Sequence, residues 1–226
     1  MSEICFAGVH HWFGERVVLD GIDLTLAEPR VGVVGANGSG KSTLARMING
    51  LVTPSQGTVT VDGLDTAREG KQVRRRVGFV FTDPDNQIVM PTVAEDVAFS
   101  LRKSGLPKDE IRSRVDDLLE RFGLAGHADH PAHLLSGGQK QLLALAAVLV
   151  ARPAVIVADE PTTLLDLRNS REVAGILSTL PEQVVLVTHQ LDLLDDFDRV
   201  VVVHKGRIAA DDTPAVAVRR YRELLG

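Results

Sequence analysis

A glycine-rich turn at residues 35–42 constrains the fold more than any other part of this sequence. It reads GANGSGKS and matches the phosphate-binding pattern G-x-x-x-x-G-K-[ST]. The apolar residues 31–34 before it predict a buried strand, and residues 43–48 after it predict a helix. In this α/β context the glycines let backbone N–H groups approach phosphate oxygens. The turn therefore predicts a bound nucleoside triphosphate, and a glycine turn without a ligand is the weaker alternative.

The residues of this turn have distinct expected roles. We expect Lys41 to reach the β- and γ-phosphates of ATP, and the Ser42 hydroxyl to ligate Mg²⁺. The backbone of the turn would surround the other phosphate oxygens, and the helix N-terminus would add partial positive charge. The predicted ATP-binding residues here are Gly35, Asn37, Gly38, Ser39, Gly40, Lys41, Ser42 and Thr43.

The composition narrows the class of protein. The 226 residues suffice for one large domain, and 44% of them are hydrophobic, as in globular proteins. The net charge of −5 argues against nucleic acid as the main partner. The lone Cys5 excludes an internal disulfide and, without a secretory signal, suggests a reducing compartment. The longest apolar run, at 142–151, is about half of a membrane span, so we expect a soluble chain that could dock onto a membrane protein.

Hydrophobic patterning predicts a P-loop core with a mainly parallel sheet and an antiparallel β-subdomain. Continuous apolar runs suit parallel strands that are covered on both faces, and they occur at 77–81, 154–158 and 184–187. Alternating patterns suit an antiparallel layer, and they occur at 3–9, 17–26 and 57–61, with a late hairpin at 200–208.

An all-helical segment interrupts this core within a single domain, residues 1–226. We assign residues 1–84 and 152–226 to the nucleotide-binding α/β core, and residues 85–151 to an inserted helical subdomain. Such an insertion is far longer than an ordinary connection between a strand and a helix. The helices expected in it cover 92–102, which opens with a capping box, 108–122 and 136–151.

Two adjacent carboxylates follow the apolar run at 154–158. Successive strand residues point in opposite directions, so Asp159 and Glu160 must have different tasks. We expect Asp159 to hold the Mg²⁺ shell near Ser42, and Glu160 to polarise a water for in-line attack on the γ-phosphate. A solvated acidic pair is the alternative, and the upstream phosphate loop makes it the weaker one.

The order of motifs resembles the ATPase domain of ATP-binding cassette (ABC) proteins over essentially the whole chain. The phosphate loop is followed by Leu-Ser-Gly-Gly-Gln at 135–139, a strand ending in Asp-Glu-Pro, and a Thr-His pair at 188–189. Ser136 and Gly138 lie at an expected helix N-terminus, which makes a second anion site. The resemblance implies a head-to-tail dimer, in which this signature, including Gln139, caps the γ-phosphate held by the partner's loop.

The resemblance assigns further roles by position. His189 is expected to contact the γ-phosphate and order the attacking water, so it joins Glu160 and Lys41 as a catalytic residue. Asp166 resembles the aspartate that communicates across the dimer. Phe13 resembles the aromatic residue that stacks on adenine, with a core aromatic as the alternative. Because both halves of the composite site are intact, a homodimer is the simpler expectation.

Two positions depart from the family pattern. The family usually has a Mg²⁺-binding glutamine after the strand at 77–81, where this chain has Thr82. Either a water bridges Thr82 to the metal or Gln87 reaches in, and we expect weakened Mg²⁺ affinity with hydrolysis retained. Leu142 stands where the family often has an arginine, and we expect an apolar contact there.

Residues 80–99 resemble the ATPases of energy-coupling-factor (ECF) transporters, which import vitamins and transition-metal ions. In those transporters the region forms a groove for coupling helices of a transmembrane subunit, and a separate small membrane protein binds the cargo. Thr82 and the short C-terminus are most similar to the biotin-specific systems. Charge complementarity to the coupling helices is expected from Asp83, Asp85, Glu95 and Asp96, which a solvated acidic loop would also explain. Gln87 joins these four as a predicted docking residue.

These resemblances imply an ATP hydrolase on the cytoplasmic face of the cell membrane, with ATP and Mg²⁺ as ligands. It would drive a vitamin importer, with biotin as the expected cargo and no nucleic acid among its partners. The alternatives are the ATPase of a cobalt or nickel ECF system, that of a conventional ABC importer, and a soluble ABC ATPase that acts as a scaffold.

Two further segments carry weaker signals. Three histidines at 127, 130 and 133 are spaced as in some metal sites, but Pro131 interrupts a helix and only Asp129 is near, so we expect a surface loop. The arginines at 74–76 predict a solvated turn, and residues 218–221 predict an ordinary surface helix.

Overall fold

The computed structural model describes residues 2–226, and within them the chain forms two β-sheets and seven α-helices. The strands are β1 Ile4–Phe13, β2 Arg16–Leu26, β3 Arg30–Val34, β4 Gln56–Val61, β5 Leu64–Asp65, β6 Val77–Val80, β7 Val155–Asp159, β8 Gln183–Val187, β9 Arg199–His204 and β10 Arg207–Asp212. The helices are α1 Lys41–Ile48, α2 Gly70–Arg76, α3 Val93–Phe99, α4 Lys108–Arg121, α5 Gly137–Leu149, α6 Leu167–Thr179 and α7 Pro214–Leu225.

The chain divides into two compact units, which are described separately. The sheet unit comprises the described residues up to Phe79, together with Ala154–Glu160 and Ile176–Gly226. The helical unit comprises Val80–Pro153 and Pro161–Gly175.

The larger sheet has the order β10-β9-β3-β8-β7-β6. Strands β9, β3, β8 and β7 run parallel to their neighbours, and β10 pairs antiparallel with β9. Every residue of β7 and β8 is buried, which explains why these strands are continuous apolar runs in the sequence. Because parallel strands end at the same edge, the residues that follow β3, β7 and β8 lie close together.

The smaller sheet has the order β2-β1-β4-β5, and each neighbouring pair of its strands is antiparallel. Its strands alternate buried and exposed residues, which is the pattern that the sequence shows at its ends. The mixed α/β fold with a parallel sheet and an antiparallel β-layer is therefore confirmed.

In the helical unit, α3 packs against both α4 and α5. The predicted capping box of Thr92 and Glu95 opens α3, but the helix stops at Phe99 instead of continuing to Arg102. Beyond Phe99 the chain continues in tighter turns, in which the N–H groups of Leu101 and Arg102 donate to the carbonyls three residues before them. Within the described residues, no helix is both long and apolar enough to cross a bilayer.

Two minor sequence expectations need correction. The arginines at 74–76 are not in a turn, because they form the exposed last turn of α2. The C-terminal helix is not merely a surface helix, since Ala217 and Tyr221, four residues apart, are both buried.

Candidate nucleotide-binding and catalytic site

The turn after β3 needs glycine for steric reasons. A Cβ on Gly35 would lie 2.3 Å from the Val203 carbonyl oxygen and 2.5 Å from Ser39 Oγ. A Cβ on Gly40 would lie 2.7 Å from the Val18 carbonyl oxygen, and the φ of Gly40 is 105°. The backbone of the neighbouring strands therefore lies in close contact with the turn, and only glycine fits at these two positions.

The open side of the turn offers unpaired donors. Helix α1 begins at Lys41, and no side chain caps its N-terminus. Helix N-terminal N–H groups lack intrahelical partners and attract anions. Ser39 Oγ is buried and has no hydrogen-bond partner within the described residues. The residues present thus fit a phosphate chain, which would supply the missing acceptors.

A serine and a carboxylate form the candidate metal site. Ser42 Oγ donates to Asp159 Oδ1 at 2.9 Å, and Arg46 Nη2 lies 3.4 Å from Asp159 Oδ2. Burial raises the pKa of Asp159, although the Ser42 hydroxyl and the Arg46 charge act in the opposite direction. Hydroxyl and carboxylate oxygens are hard ligands, so the half-buried Ser42 and the buried Asp159 together fit Mg²⁺.

Glu160 is the centre of the candidate catalytic cluster. Its Oε1 lies 3.3 Å from Lys41 Nζ, and its Oε2 contacts His189 Nδ1. Lys41 is 5% exposed and the Glu160 side chain 12%, so their ion pair is largely shielded from water. The structure therefore brings together the three residues that the sequence predicted as catalytic.

The backbone of Glu160 is unusual. Its φ is 53°, in the left-handed region, which costs a non-glycine residue about 1–3 kcal/mol. The Glu160 N–H donates to the Val187 carbonyl at 2.9 Å, which ties this turn to the end of β8. The strained turn directs the carboxylate toward Lys41 and His189 instead of continuing the line of β7.

Two residues near the cluster were missed by the sequence reasoning. Arg46 lies one helical turn after Ser42, so their spacing of four places both on one face of α1. Tyr221 is 7% exposed, and burial together with the nearby Glu160 charge raises its pKa. The spacing of Ala217 and Tyr221 is the signal that could have revealed the buried face of α7.

The signature lies at the N-terminus of α5 in the helical unit. Ser136 is the N-cap residue: its Oγ accepts from the Gln139 N–H at 3.3 Å, and its own N–H donates to Gln139 Oε1 at 2.9 Å. A Cβ on Gly138 would lie 2.6 Å from the Asn169 side chain. Asn169 is in turn held by Asp166, which accepts from its N–H at 2.8 Å and from its Nδ2 at 3.0 Å. The predicted communication residue Asp166 thus supports the signature of its own chain.

The predicted docking residues divide into two groups. Asp96 is 3% exposed, and its Oδ1 accepts from the N–H groups of Val89 and Met90 at 2.8 and 2.9 Å. The prediction that Asp96 offers charge to a partner is therefore wrong, because its carboxylate orders the loop before α3. Asp83, Asp85 and Glu95 are half-buried or exposed, and their roles in docking stay predictions.

Gln87 does not have the freedom that the sequence suggested. Its Oε1 accepts from the Phe81 N–H at 3.1 Å, and its Nε2 donates to the Ala144 carbonyl at 3.2 Å. Both ends of the amide are thus used in joining the backbone at Phe81 to α5, so the alternative in which Gln87 reaches the metal is not supported. Thr82 is half-buried, and its part in Mg²⁺ binding stays a prediction.

The exposure of Phe13 and of Leu142 can be compared with the roles expected for them, which are adenine stacking and an apolar contact. Phe13 is 58% exposed and its ring meets the His11 ring edge-on, with centroids 4.6 Å apart. It is therefore not a core aromatic, and an accessible ring can stack on a base. Leu142 is 6% exposed, in line with the expected apolar contact.

Comparison with known proteins identifies the class. The family model described as ABC transporter matches residues 19–163, which include the phosphate loop, the signature and the Asp159–Glu160 pair. The chain belongs to this family and is an ABC ATPase, whose ATP hydrolysis drives transport.

Individual relatives identify the branch. The biotin transport ATP-binding protein BioM of Rhizobium etli is 50% identical over 212 residues, which cover 94% of each chain. The energy-coupling factor transporter ATP-binding protein EcfA1 of Symbiobacterium thermophilum is 48% identical over 206 residues, 88% of this chain and 72% of that one. The structure of cbiO1 from Clostridium perfringens, part of the ABC transporter complex cbiONQ, has a TM-score of 0.85 at 34% identity, covering 98% of this chain and 92% of that one. The chain is an ECF-type ATP-binding subunit, as its sequence predicted.

Proposed function

We propose that this chain is the ATP-hydrolysing subunit of a vitamin importer for biotin, and that it works as a homodimer on the cytoplasmic face of the membrane. The observation that carries the catalytic part is the position of Glu160 between Lys41 and His189, beside the hydrogen-bonded pair of Ser42 and Asp159. The similarity to a biotin transport protein across nearly the whole chain supports the choice of cargo.

Hydrolysis starts from a cluster whose charges neutralise one another. Lys41 must exchange the Glu160 carboxylate for β- and γ-phosphate oxygens when ATP binds. The released carboxylate can then accept a proton from a water that attacks the γ-phosphate, while His189 orients that water. Ser42 and Asp159 would hold Mg²⁺, which when bound supplies positive charge to the phosphate oxygens.

The signature completes the site from a second copy of the chain. Ser136 and Gly137 are exposed, and the N-terminal N–H groups of α5 are available to an anion. We infer that this end of α5 caps the γ-phosphate bound by a partner's phosphate loop, so two ATP molecules lie in a head-to-tail dimer. Binding closes the dimer and hydrolysis reopens it, which moves the docked transmembrane subunit.

A pull-down from detergent-solubilised membranes of the host tests the assignment. We expect the tagged chain to recover one transmembrane coupling protein and one small membrane protein, and the latter should bind labelled biotin. Soluble partners alone would contradict the transporter and favour a scaffold, whereas two large permeases would indicate a conventional importer. A small membrane protein that binds cobalt or nickel instead would change the cargo only.

Charge-neutral variants separate docking from folding. Asp83→Asn and Glu95→Gln remove two negative charges yet keep the acceptors that cap the local helices. We expect the pair to weaken recovery of the coupling protein, as loss of charge complementarity requires. Asp117→Asn, on an exposed position of α4, is the matched control and should leave recovery unchanged.

A further inference from the structure

A chain of hydrogen bonds in the helical unit ends at the signature. Gln139, whose Oε1 accepts from Ser136, has its Nε2 at 3.1 Å from His127 Nε2. His127 Nδ1 lies 2.9 Å from His130 Nδ1, and the two rings meet edge-on with centroids 4.9 Å apart. Two imidazoles are thus connected to the N-cap of α5 through a single amide.

The first member of this chain fixes the direction of every hydrogen bond. The Ser136 N–H can only donate, so the Gln139 atom that faces it is the oxygen, and the NH₂ group faces His127. His127 Nε2 must therefore accept, which puts the His127 proton on Nδ1. That Nδ1–H donates to His130 Nδ1, which leaves the His130 proton on Nε2.

We propose that His127, oriented by His130, is a positioning residue for ATP capture by the signature. As the neutral Nδ1–H tautomer it holds Gln139 in the rotamer that caps Ser136. This proposal rests on the proposed function, because it takes the signature to be the cap on a partner's γ-phosphate.

A second proton on His127 is incompatible with this arrangement. It would place an Nε2–H against the NH₂ group of Gln139, and turning the amide over would place that NH₂ against the Ser136 N–H. In either case a donor faces a donor, so the capping interaction is lost. A second proton on His127 should therefore weaken ATP capture by the signature.

The charged groups on the surrounding elements do not compete for the hydrogen bonds that link Gln139, His127 and His130. Lys140 on α5 pairs with Asp85 at 2.7 Å. Arg121, at the end of α4, lies over the neighbouring phenylalanine ring. Asp129 and His133 are exposed. A surface cavity of about 290 Å³ adjoins the two imidazoles and admits water, and its other lining residues are Pro131, Leu134, Leu135 and Gln139.

The tautomer of His127 can be measured without any nucleotide. Long-range ¹H–¹⁵N NMR correlations on the full chain at pH 8 should show His127 protonated at Nδ1 and His130 at Nε2. The reverse assignment for His127 would overturn the proposal. Because the chain has seven histidines, His127→Phe and His130→Phe samples assign the two signals, and a His133→Phe sample should leave both in place.

ATP-driven dimer formation then tests the functional step. In a Glu160→Gln background, which blocks turnover, light scattering would give the ATP concentration for half-maximal dimerisation. We expect His127→Phe to raise it about three- to tenfold, the range that follows from the loss of one hydrogen bond. His133→Phe should not change it, and equal values for the two variants would overturn the proposal.

A substitution of the glutamine separates positioning from packing. In Gln139→Glu both carboxylate oxygens accept, so the protonated His127 becomes the favoured partner and acid should strengthen dimerisation. The parent should show the opposite trend when acid is added. The same trend in both proteins would contradict the proposal. If the Glu160→Gln parent stays monomeric with ATP, the head-to-tail dimer fails, while the tautomer still decides the role of His127.

Discussion

The phosphate site at the sheet edge and the signature end of α5 are both anion sites, but they are stabilised in opposite ways. At the sheet edge, charged groups neutralise one another within the chain: Lys41 with Glu160, and Arg46 with Asp159. At the signature end, Ser136 and Gln139 make neutral hydrogen bonds and remain accessible to water. The difference supports the proposal that the first site binds the nucleotide by itself, whereas the second caps a nucleotide held by another copy of the chain.

The largest effect should come from the carboxylate at the sheet edge. Glu160→Gln should lower kcat about 100- to 10,000-fold, because it removes the base while ATP binding persists. Single-turnover assays and fluorescent-nucleotide binding would measure the two steps separately. If kcat were retained, the charge cluster at the sheet edge would serve ATP binding only. The two anion sites would then not differ in their contribution to catalysis.

Substitutions at the signature end of α5 should affect the protein through added side-chain volume instead of through a change of charge. Gly138→Ala places a methyl group 2.6 Å from the Asn169 side chain, which Asp166 holds, so we expect a loss of about 1–3 kcal/mol of stability. Gly137→Ala is the matched control, since its nearest neighbour beyond the helix is 4.0 Å away. Urea unfolding of both variants measures the difference. Equal midpoints would mean that Asn169 moves aside and does not support the signature.

An exposed aromatic residue should contribute less. Phe13→Ala should weaken ATP binding by about 1 kcal/mol, the lower end for stacking of a base on an aromatic ring. Trp12→Ala, at the adjacent and partly exposed position, should have a smaller effect. Titration with ATP and with inorganic triphosphate distinguishes stacking from general damage, since only ATP binding should change. Equal losses for both ligands would remove Phe13 from the adenine site.

The smallest effect is expected on the stability of the nucleotide-free protein when the buried carboxylate of Asp159 is replaced. Burial raises the pKa of Asp159, so its ionised form costs folding free energy above that pKa, and this cost disappears as the pH falls through it. Asp159→Asn should therefore raise the stability of the nucleotide-free protein at pH 7.5. It should also abolish the extra stabilisation by Mg²⁺ over ATP alone. Thermal unfolding with and without Mg²⁺ checks both, and a destabilised variant would contradict the direction.

The sequence was sufficient for the parts of the fold that depend on local pattern. The buried runs at β7 and β8, the turn at Gly35 and the capping box of α3 each have a short-range signal. The role of Asp96 could not be predicted, because its partners are backbone groups of a loop whose path depends on tertiary packing. Gln87 is a similar case, since its bond to Ala144 joins residues that are distant in the sequence.

The residues that pack against the phosphate-binding turn limit where the chain can be truncated. Val203 closes the space beneath Gly35, and the Gly206 N–H donates to the Ser39 carbonyl at 3.0 Å. Both supporting residues lie beyond position 163, where the family match ends. A fragment that keeps every recognisable motif but stops before the β9–β10 hairpin would thus lack the residues that pack against the phosphate-binding turn and support it. Truncated versions and domain fusions should preserve the hairpin, although no motif marks it.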